Sequence, residues 1–295
     1  MMGVTDLLSL AWVGADFALL RRDHPYLLGL AVTDRCNLRC RQCRVWSEHA
    51  PHLPFDRIDA ILRDFRSRGA RLLYLEGGEP YLWRDGERRL PDVVALARAR
   101  GFLRVHVYTN GTLPLTAPVD FTWVSADGLH ATNALLRGSS LDEVLDHLRA
   151  CPGRKALVFT VNALNRHELR PFLEFVAQAV PGVGVMFFLH TPYYGIDELH
   201  LDPGARAAVV AELLACRRDG LPVLNSNPGL RKLRPGAGSG PSRLFCVVDR
   251  QGEYPCCRAS GDPAICAHCG YAACEEIALA RRLVPGAILA AFRYL

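Results

Sequence analysis

No run of eighteen apolar residues occurs in the 295-residue sequence, so no segment is long enough to read as a membrane-spanning helix. The apolar stretch 7–20 carries Asp16 and lacks both a positively charged start and a cleavage site. That argues against a secretory signal and favours an amphipathic helix covering one end of the folded domain. A basic run is also missing: 35 Lys and Arg against 30 Asp and Glu leave +5, but the arginines are scattered, so no nucleic-acid partner is expected. Residues are 50% hydrophobic and 22% charged, which excludes a disordered tail or a coiled coil. Methionine is scarce, with three, whereas cysteine is abundant, with eleven. A secreted disulfide scaffold this rich in cysteine would be much shorter, and an odd total leaves a thiol unpaired. Cytoplasmic residence is the expectation, and in that reducing compartment clustered cysteines read first as metal ligands or reactive thiols.

From residue 28 onward, β-rich runs alternate with helical patterns, the pattern of βα units around a parallel sheet. Strands are expected at 28–33, 71–75, 103–108, 121–125, 156–161 and 183–189, and helices at 55–65, 90–100, 141–150, 166–180 and 203–218. Six strands rather than eight imply an α/β fold with a partial (β/α)6 TIM-like barrel, open at one side for a substrate. The stretch 225–241 is rich in Gly, Pro, Ser and Asn and reads as a linker or active-site loop. Beyond it, 243–276 has too little apolar surface for its own core, so something covalent or metallic should hold it. The expected division is an N-terminal helical extension over 1–27, the barrel over 28–222 and a small C-terminal Fe–S cluster domain over 223–295.

Cys36, Cys40 and Cys43 form a CxxxCxxC run directly after the first strand. Three thiolates on one short loop can hold three irons of a cubane and leave the fourth open; taken alone, the spacing also suits zinc or buried thiols. Further along, Gly77-Gly78-Glu79-Pro80 follows the second strand, Thr109-Asn110-Gly111 the third, and Ser125-Ala126-Asp127-Gly128 ends the fourth. Taken together, these segments resemble the radical SAM superfamily. The resemblance implies a [4Fe–4S] cluster on Cys36, Cys40 and Cys43, and S-adenosylmethionine held by Gly77, Gly78, Glu79, Pro80, Thr109, Asn110, Ser125 and Asp127. Gln42 stands where an aromatic residue is frequent in the family; the resemblance still implies that it contacts the cofactor, through its backbone. Arg137 reads either as a partner for the cofactor carboxylate or as a surface arginine at a helix start. By the same resemblance, S-adenosylmethionine is cleaved reductively to a 5′-deoxyadenosyl radical that abstracts a hydrogen atom from an unactivated C–H bond, with a reductant such as flavodoxin or ferredoxin. Site residues are then expected at the C-terminal ends of the strands.

Cys246, Cys256, Cys257, Cys266, Cys269 and Cys274 fall within 29 residues. Their order resembles a reduced SPASM or twitch extension of radical SAM enzymes, which implies one auxiliary [4Fe–4S] cluster. Cys257, Cys266, Cys269 and Cys274 are the simplest ligand set, with Cys246 or Cys256 able to replace a member; a zinc ribbon is the other reading. The remaining two, Cys246 and Cys256, are candidate hydrogen-atom donors that would return hydrogen to a substrate radical, a logic similar to that of neomycin epimerase; ordinary buried thiols are the alternative. Cys151 and Cys216 sit in helical patterns and read as packing residues.

His190, Tyr193 and Tyr194 follow the sixth strand and Asn225 opens the Gly/Pro-rich stretch, so these four are candidate substrate contacts. His190 reads as a proton carrier or as a satisfied structural histidine. Expected functions are epimerisation or dehydrogenation of a small molecule, maturation of a ribosomally made peptide, or non-catalytic iron–sulfur or zinc binding. Only about 27 residues precede the first strand, which weighs against a peptide-recognition domain.

Overall fold

Continuous apolar runs in the early strands require cover on both faces of the sheet, and the computed structural model supplies it. Residues 14–15, 24–43, 49–193, 195–238 and 242–293 are described; all but two residues of the expected helix over 7–20, and Tyr194, lie outside them. The barrel runs β1 Leu27–Thr33, α1 Phe55–Ser67, β2 Leu72–Gly77, α2 Leu90–Ala99, β3 Arg104–Thr109, β4 Phe121–Ser125, α3 His130–Arg137, α4 Leu141–Ala150, β5 Arg154–Val161, α5 Leu169–Ala179, β6 Gly184–Leu189 and α6 Pro203–Arg218. After it come α7 Asn227–Lys232, a hairpin of β7 Phe245–Val248 and β8 Glu253–Pro255, then α8 Pro263–Cys266, α9 Ala272–Arg281 and α10 Pro285–Ala291.

The sheet order is β6-β5-β4-β3-β2-β1-β7-β8, with every pair parallel except the β7–β8 hairpin. No helix joins β3 to β4, where Pro114 and Pro118 interrupt any helical run. The C-terminal segment departs from the expected pattern. The segment after residue 222 is not separate at the level of the sheet, because β7 pairs with β1 and extends the barrel, and α7 forms inside the expected linker behind its N-cap Ser226, whose side chain accepts from Gly229 N.

Alternation sorts the side chains. Along β2, Leu73 and Leu75 join the cluster under α1 and α2, where Ile58, Ile61, Leu62 and Phe65 form one stripe of α1. Tyr74 and Glu76 take the opposite face, toward the lumen. Arg68, at the end of α1, donates to both Glu253 oxygens at 2.8 and 2.6 Å, fastening the hairpin to the barrel. Aromatic rings narrow the lower lumen to a cavity of about 70 Å³: Tyr108 stacks on Trp123 with centroids 5.7 Å apart, and Trp123 packs on Phe121 at 4.5 Å. This plug leaves the C-terminal strand ends as the place for chemistry.

His106 lies within that plug, its Nδ1 3.4 Å from Trp123 Nε1, and burial lowers its pKa to about 4 from an ordinary 6.5. The unfolded chain therefore binds more protons between those values, so this contribution is intact above about pH 6.5 and is lost as pH falls toward 4. By pH 4 the loss reaches about 3 kcal/mol. Urea unfolding of the wild type against His106→Gln should show a gap that narrows across this window; a pH-independent gap contradicts the assignment.

Candidate functional site

The three cysteines of the first cluster occupy the loop leaving β1, and β2 and β3 hold that loop in place. Gly78 N donates to Thr33 O at 2.7 Å and Glu79 N to Arg35 O at 2.8 Å. A Cβ on Gly78 would come within 2.2 Å of Arg35 O, so only glycine permits this approach. Glu79 is fully buried: Oε1 accepts from Thr109 Oγ1 at 2.8 Å and Tyr81 N at 3.1 Å, and Oε2 from Asn110 N at 2.8 Å. Burial pushes its carboxyl up, and these donors oppose the shift. Pro80 opens the short 3-10 turn that Glu79 caps. Asn110 Nδ2 reaches Asn37 Oδ1 at 2.8 Å and Cys36 Sγ at 3.8 Å. The segments around residues 77–80 and 109–111 thus form one scaffold under the cysteine loop.

The other side of the loop rests on Asp127, which is fully buried beyond half-buried Ser125. Asp127 Oδ2 accepts from Gln42 Nε2 and from Arg137 Nη1, both at 2.6 Å, and Oδ1 from Thr160 N at 2.6 Å. Arg137 is the last residue of α3 and is 9% exposed, which corrects the alternative of a surface arginine at a helix start. Arg137 Nε and Gln42 Oε1 are buried without a hydrogen-bond partner among the described residues. A donor and an acceptor so placed, beside Cys40, suit a zwitterionic cofactor. Burial raises the Cys36 thiol and pushes Cys40 up to about 11, so loading iron must displace protons. No three described His, Cys, Asp or Glu side chains converge as on a single metal ion. A cubane takes each thiolate on a different iron, so the thiols that hold one stand apart.

A cavity of about 450 Å³ opens beside these segments, lined by Asp34, Glu76, Tyr193, Asp249, Cys256, Cys257, Arg258 and Tyr271 among others. Cys256 Sγ lies 3.7 Å from Cys274 Sγ, and Cys269 is within electrostatic reach of Cys256 and Cys257. Cys266 stands at the end of α8, its Sγ 4.0 Å from Ala259 O. Cys256 has φ of +70°, a left-handed conformation that a non-glycine residue adopts only when its surroundings enforce it. Two devices fix the segment between Cys266 and Cys274. Gly270 is bonded to β6 and the residues just after it: its carbonyl accepts from Leu189 N at 3.0 Å, and its N–H donates to the Thr191 side chain at Oγ1, at 2.9 Å. A Cβ on Gly270 would come within 2.0 Å of Leu189 O. Arg206 of α6, 7% exposed, donates to the carbonyls of Leu233, His268 and Cys269.

Three sequence-derived candidates are placed elsewhere. Cys246 pairs in register with Leu28, and its side chain packs with the apolar cluster between the sheet and the outer helices. Its Sγ lies 3.3 Å from Glu253 Oε1, and burial pushes it up to about 12. Facing away from the cavity, it is corrected as a hydrogen-atom donor. Asn225 is fully buried and holds the Phe187 backbone, receiving from its N–H at 2.8 Å and donating to its carbonyl at 2.9 Å, so it is a structural clamp and not a substrate contact. His190 Nε2 sits 3.2 Å from Asp197 Oδ1 but is buried without a hydrogen-bond partner among the described residues, and burial lowers its pKa; the residue is outside the cavity lining. Tyr193 does line the cavity. Sequence reading missed Asp34, Glu76, Asp249, Arg258 and Arg206. Glu76 carried a usable signal, as a charge on the lumen-facing alternation of β2.

The sequence matches the Radical SAM superfamily over residues 30–176. Pre-heme d1 synthase of Dinoroseobacter shibae is 31% identical over 182 residues, 56% of this chain and 43% of that protein. GTP 3′,8-cyclase of Pectobacterium atrosepticum is 27% identical over 250 residues, 77% of this chain and 70% of that one. Streptococcus suis SuiB bound to S-adenosylmethionine shares the fold, with a TM-score of 0.64 at 13% identity, over 82% of this chain and 62% of SuiB. The chain therefore spans less than half of the first relative and under two thirds of SuiB. The match runs through the segments that hold the cysteine loop, and it shows that the chain belongs to the radical SAM superfamily, whose members use a [4Fe–4S] cluster and S-adenosylmethionine.

Proposed function

We propose that the chain acts on a small molecule in the cavity, inverting a stereocentre with a hydrogen atom returned by Cys256, or dehydrogenating it. One observation carries this reading: Cys256 and Cys257 line the same cavity as Asp34 and Glu76, which lead into the Cys36 loop and the 77–80 turn. When bound, the cluster and S-adenosylmethionine supply a 5′-deoxyadenosyl radical that abstracts hydrogen from an unactivated C–H bond. Asp127 sets Gln42 and Arg137, and Glu79 sets the 77–80 turn, segments that would hold the cofactor. Tyr193 and Tyr271 wall the cavity and exclude water from a reactive substrate. Cys257, Cys266, Cys269 and Cys274 are the proposed holders of one auxiliary [4Fe–4S] cluster, which leaves the Cys256 S–H available at the wall. Each inversion costs Cys256 one hydrogen atom, restored by an electron from a flavodoxin or ferredoxin and a proton from solvent. A peptide substrate is the second reading, supported by the fold shared with SuiB, which has been seen bound to its precursor peptide SuiA.

Reconstituted, reduced protein should form 5′-deoxyadenosine under anaerobic conditions; its absence across reductants and substrates overturns the enzymatic reading. In deuterated water, inverted product should carry deuterium at the new stereocentre, whereas a product two hydrogens lighter identifies dehydrogenation. Cys256→Ala should keep its full iron content and lose inversion; loss of auxiliary iron instead makes Cys256 a ligand and ends its role as donor. Arg206→Met should lower iron from about eight to about four per chain, with the S-adenosylmethionine-sensitive electron paramagnetic signal retained. Full iron in that variant removes Arg206 from the organisation of the cysteines. Asp127→Asn leaves the Arg137 charge buried without its counter-ion, so urea unfolding should show a loss of about 3 kcal/mol and titration a weaker hold on S-adenosylmethionine; unchanged values count against the hub.

A further inference from the structure

The cavity wall carries three carboxylates, Asp34, Glu76 and Asp249, against one guanidinium, Arg258. Their bonding is unequal. Asp249 is satisfied: Oδ2 accepts from Arg258 Nε at 2.7 Å, and Oδ1 from the Gln251 and Gly252 amides at 2.8 and 3.0 Å. Glu76 is not. Its nearest cation, Arg258 Nη1, stands 3.7 Å from Oε1, beyond hydrogen-bond reach. Glu76 Oε1 is buried and has no hydrogen-bond partner among the described residues. Asp34 has no close cation among the described residues: half-exposed Arg250 stands at 3.9 Å, and Arg258 acts on it from farther away. A buried carboxylate oxygen without a donor is costly to maintain, and whatever enters the cavity, a ligand, an ordered water or an ion, gains by supplying the missing partner.

Glu76 reaches this position by strand geometry: it is the lumen-facing residue of β2 next above Tyr74, paired in register with Ala31 of β1. Arg258 donates to Asp249 through Nε, while its buried Nη2 has no hydrogen-bond partner among the described residues, so the wall offers one free donor beside two carboxylates and stays net negative. A neutral ligand would leave the net negative wall uncompensated. We propose that Glu76, assisted by Asp34, is the anchor for a protonated amine on the substrate, so that the cavity takes small molecules bearing a primary ammonium group. This rests on the same cavity being the substrate site, as proposed above.

The test uses the reconstituted, S-adenosylmethionine-loaded holoenzyme without reductant, so that binding is read without turnover. Calorimetric titrations pair each amine with its acetylated form: glucosamine with N-acetylglucosamine, and lysine with Nε-acetyllysine. At least one amine should bind tenfold or more tightly than its acetylated partner, and Glu76→Gln should erase that preference while iron content is unchanged. Equal binding within every pair, or no binding by any amine, overturns the inference on wild-type protein alone, whether or not the variant folds. A preference that survives Glu76→Gln removes Glu76 as the anchor. Formation of 5′-deoxyadenosine by the reduced holoenzyme is scored separately, so failure of the enzymatic reading is distinguishable from failure of amine recognition.

Discussion

The site depends on one buried carboxylate. Glu79 receives a hydroxyl from the end of β3 and two backbone N–H groups, while its own N–H is tied to the loop leaving β1. All three side-chain partners are donors, so a carboxylate answers every one of them. A glutamine would turn an NH₂ toward a donor at one position and leave a buried polar conflict. The desolvation cost of a charge at this depth is offset only because the donors come from fixed backbone and a short side chain. Three strand ends are thereby locked to each other before any cofactor arrives. The cysteine loop, which has little regular structure of its own, takes its position from them.

Much of this was legible in the sequence, for a physical reason. The strands 121–125 and the helices 141–150 and 203–218 match their expected limits because turn residues and N-caps act locally: Ser140 caps α4 and Asp202 caps α6 with their own side chains. The segments around Glu79 and Asp127 were likewise visible, since each is a short run at a strand end. What the sequence left open depends on long-range packing. Nothing local reveals that Arg206 would reach the carbonyls of residues sixty positions later, or that Asn225 would bond the β6 backbone. The eight-residue helix α3 was missed too, although Gly138 in the left-handed conformation ends it.

The opposite fates of Cys246 and Cys256 show how register decides chemistry. Pairing β7 alongside β1 puts Cys246 beside Leu28, and a strand's period of two then commits it to the helix-covered face. A one-residue shift would have sent the same thiol into the lumen. Cys256 escapes that alternation because it follows the last residue of β8 and leaves the extended conformation, with φ of +70°. The chain turns there, and two successive cysteines come to line the cavity.

The ends of the barrel are correspondingly unequal. Aromatic rings narrow the lower lumen, where Arg104 and a histidine held largely neutral by burial join them, whereas carboxylates, an arginine and thiols concentrate at the upper rim. Such a separation suits binding at the rim, where polar groups can hold a substrate by its own polar atoms. The hairpin completes the arrangement because it belongs to both parts, with β7 in the barrel sheet and the residues after β8 on the cavity wall. Its anchoring to α1 through Arg68 and Glu253 therefore bears on the placement of Cys256 as directly as any contact inside the cavity.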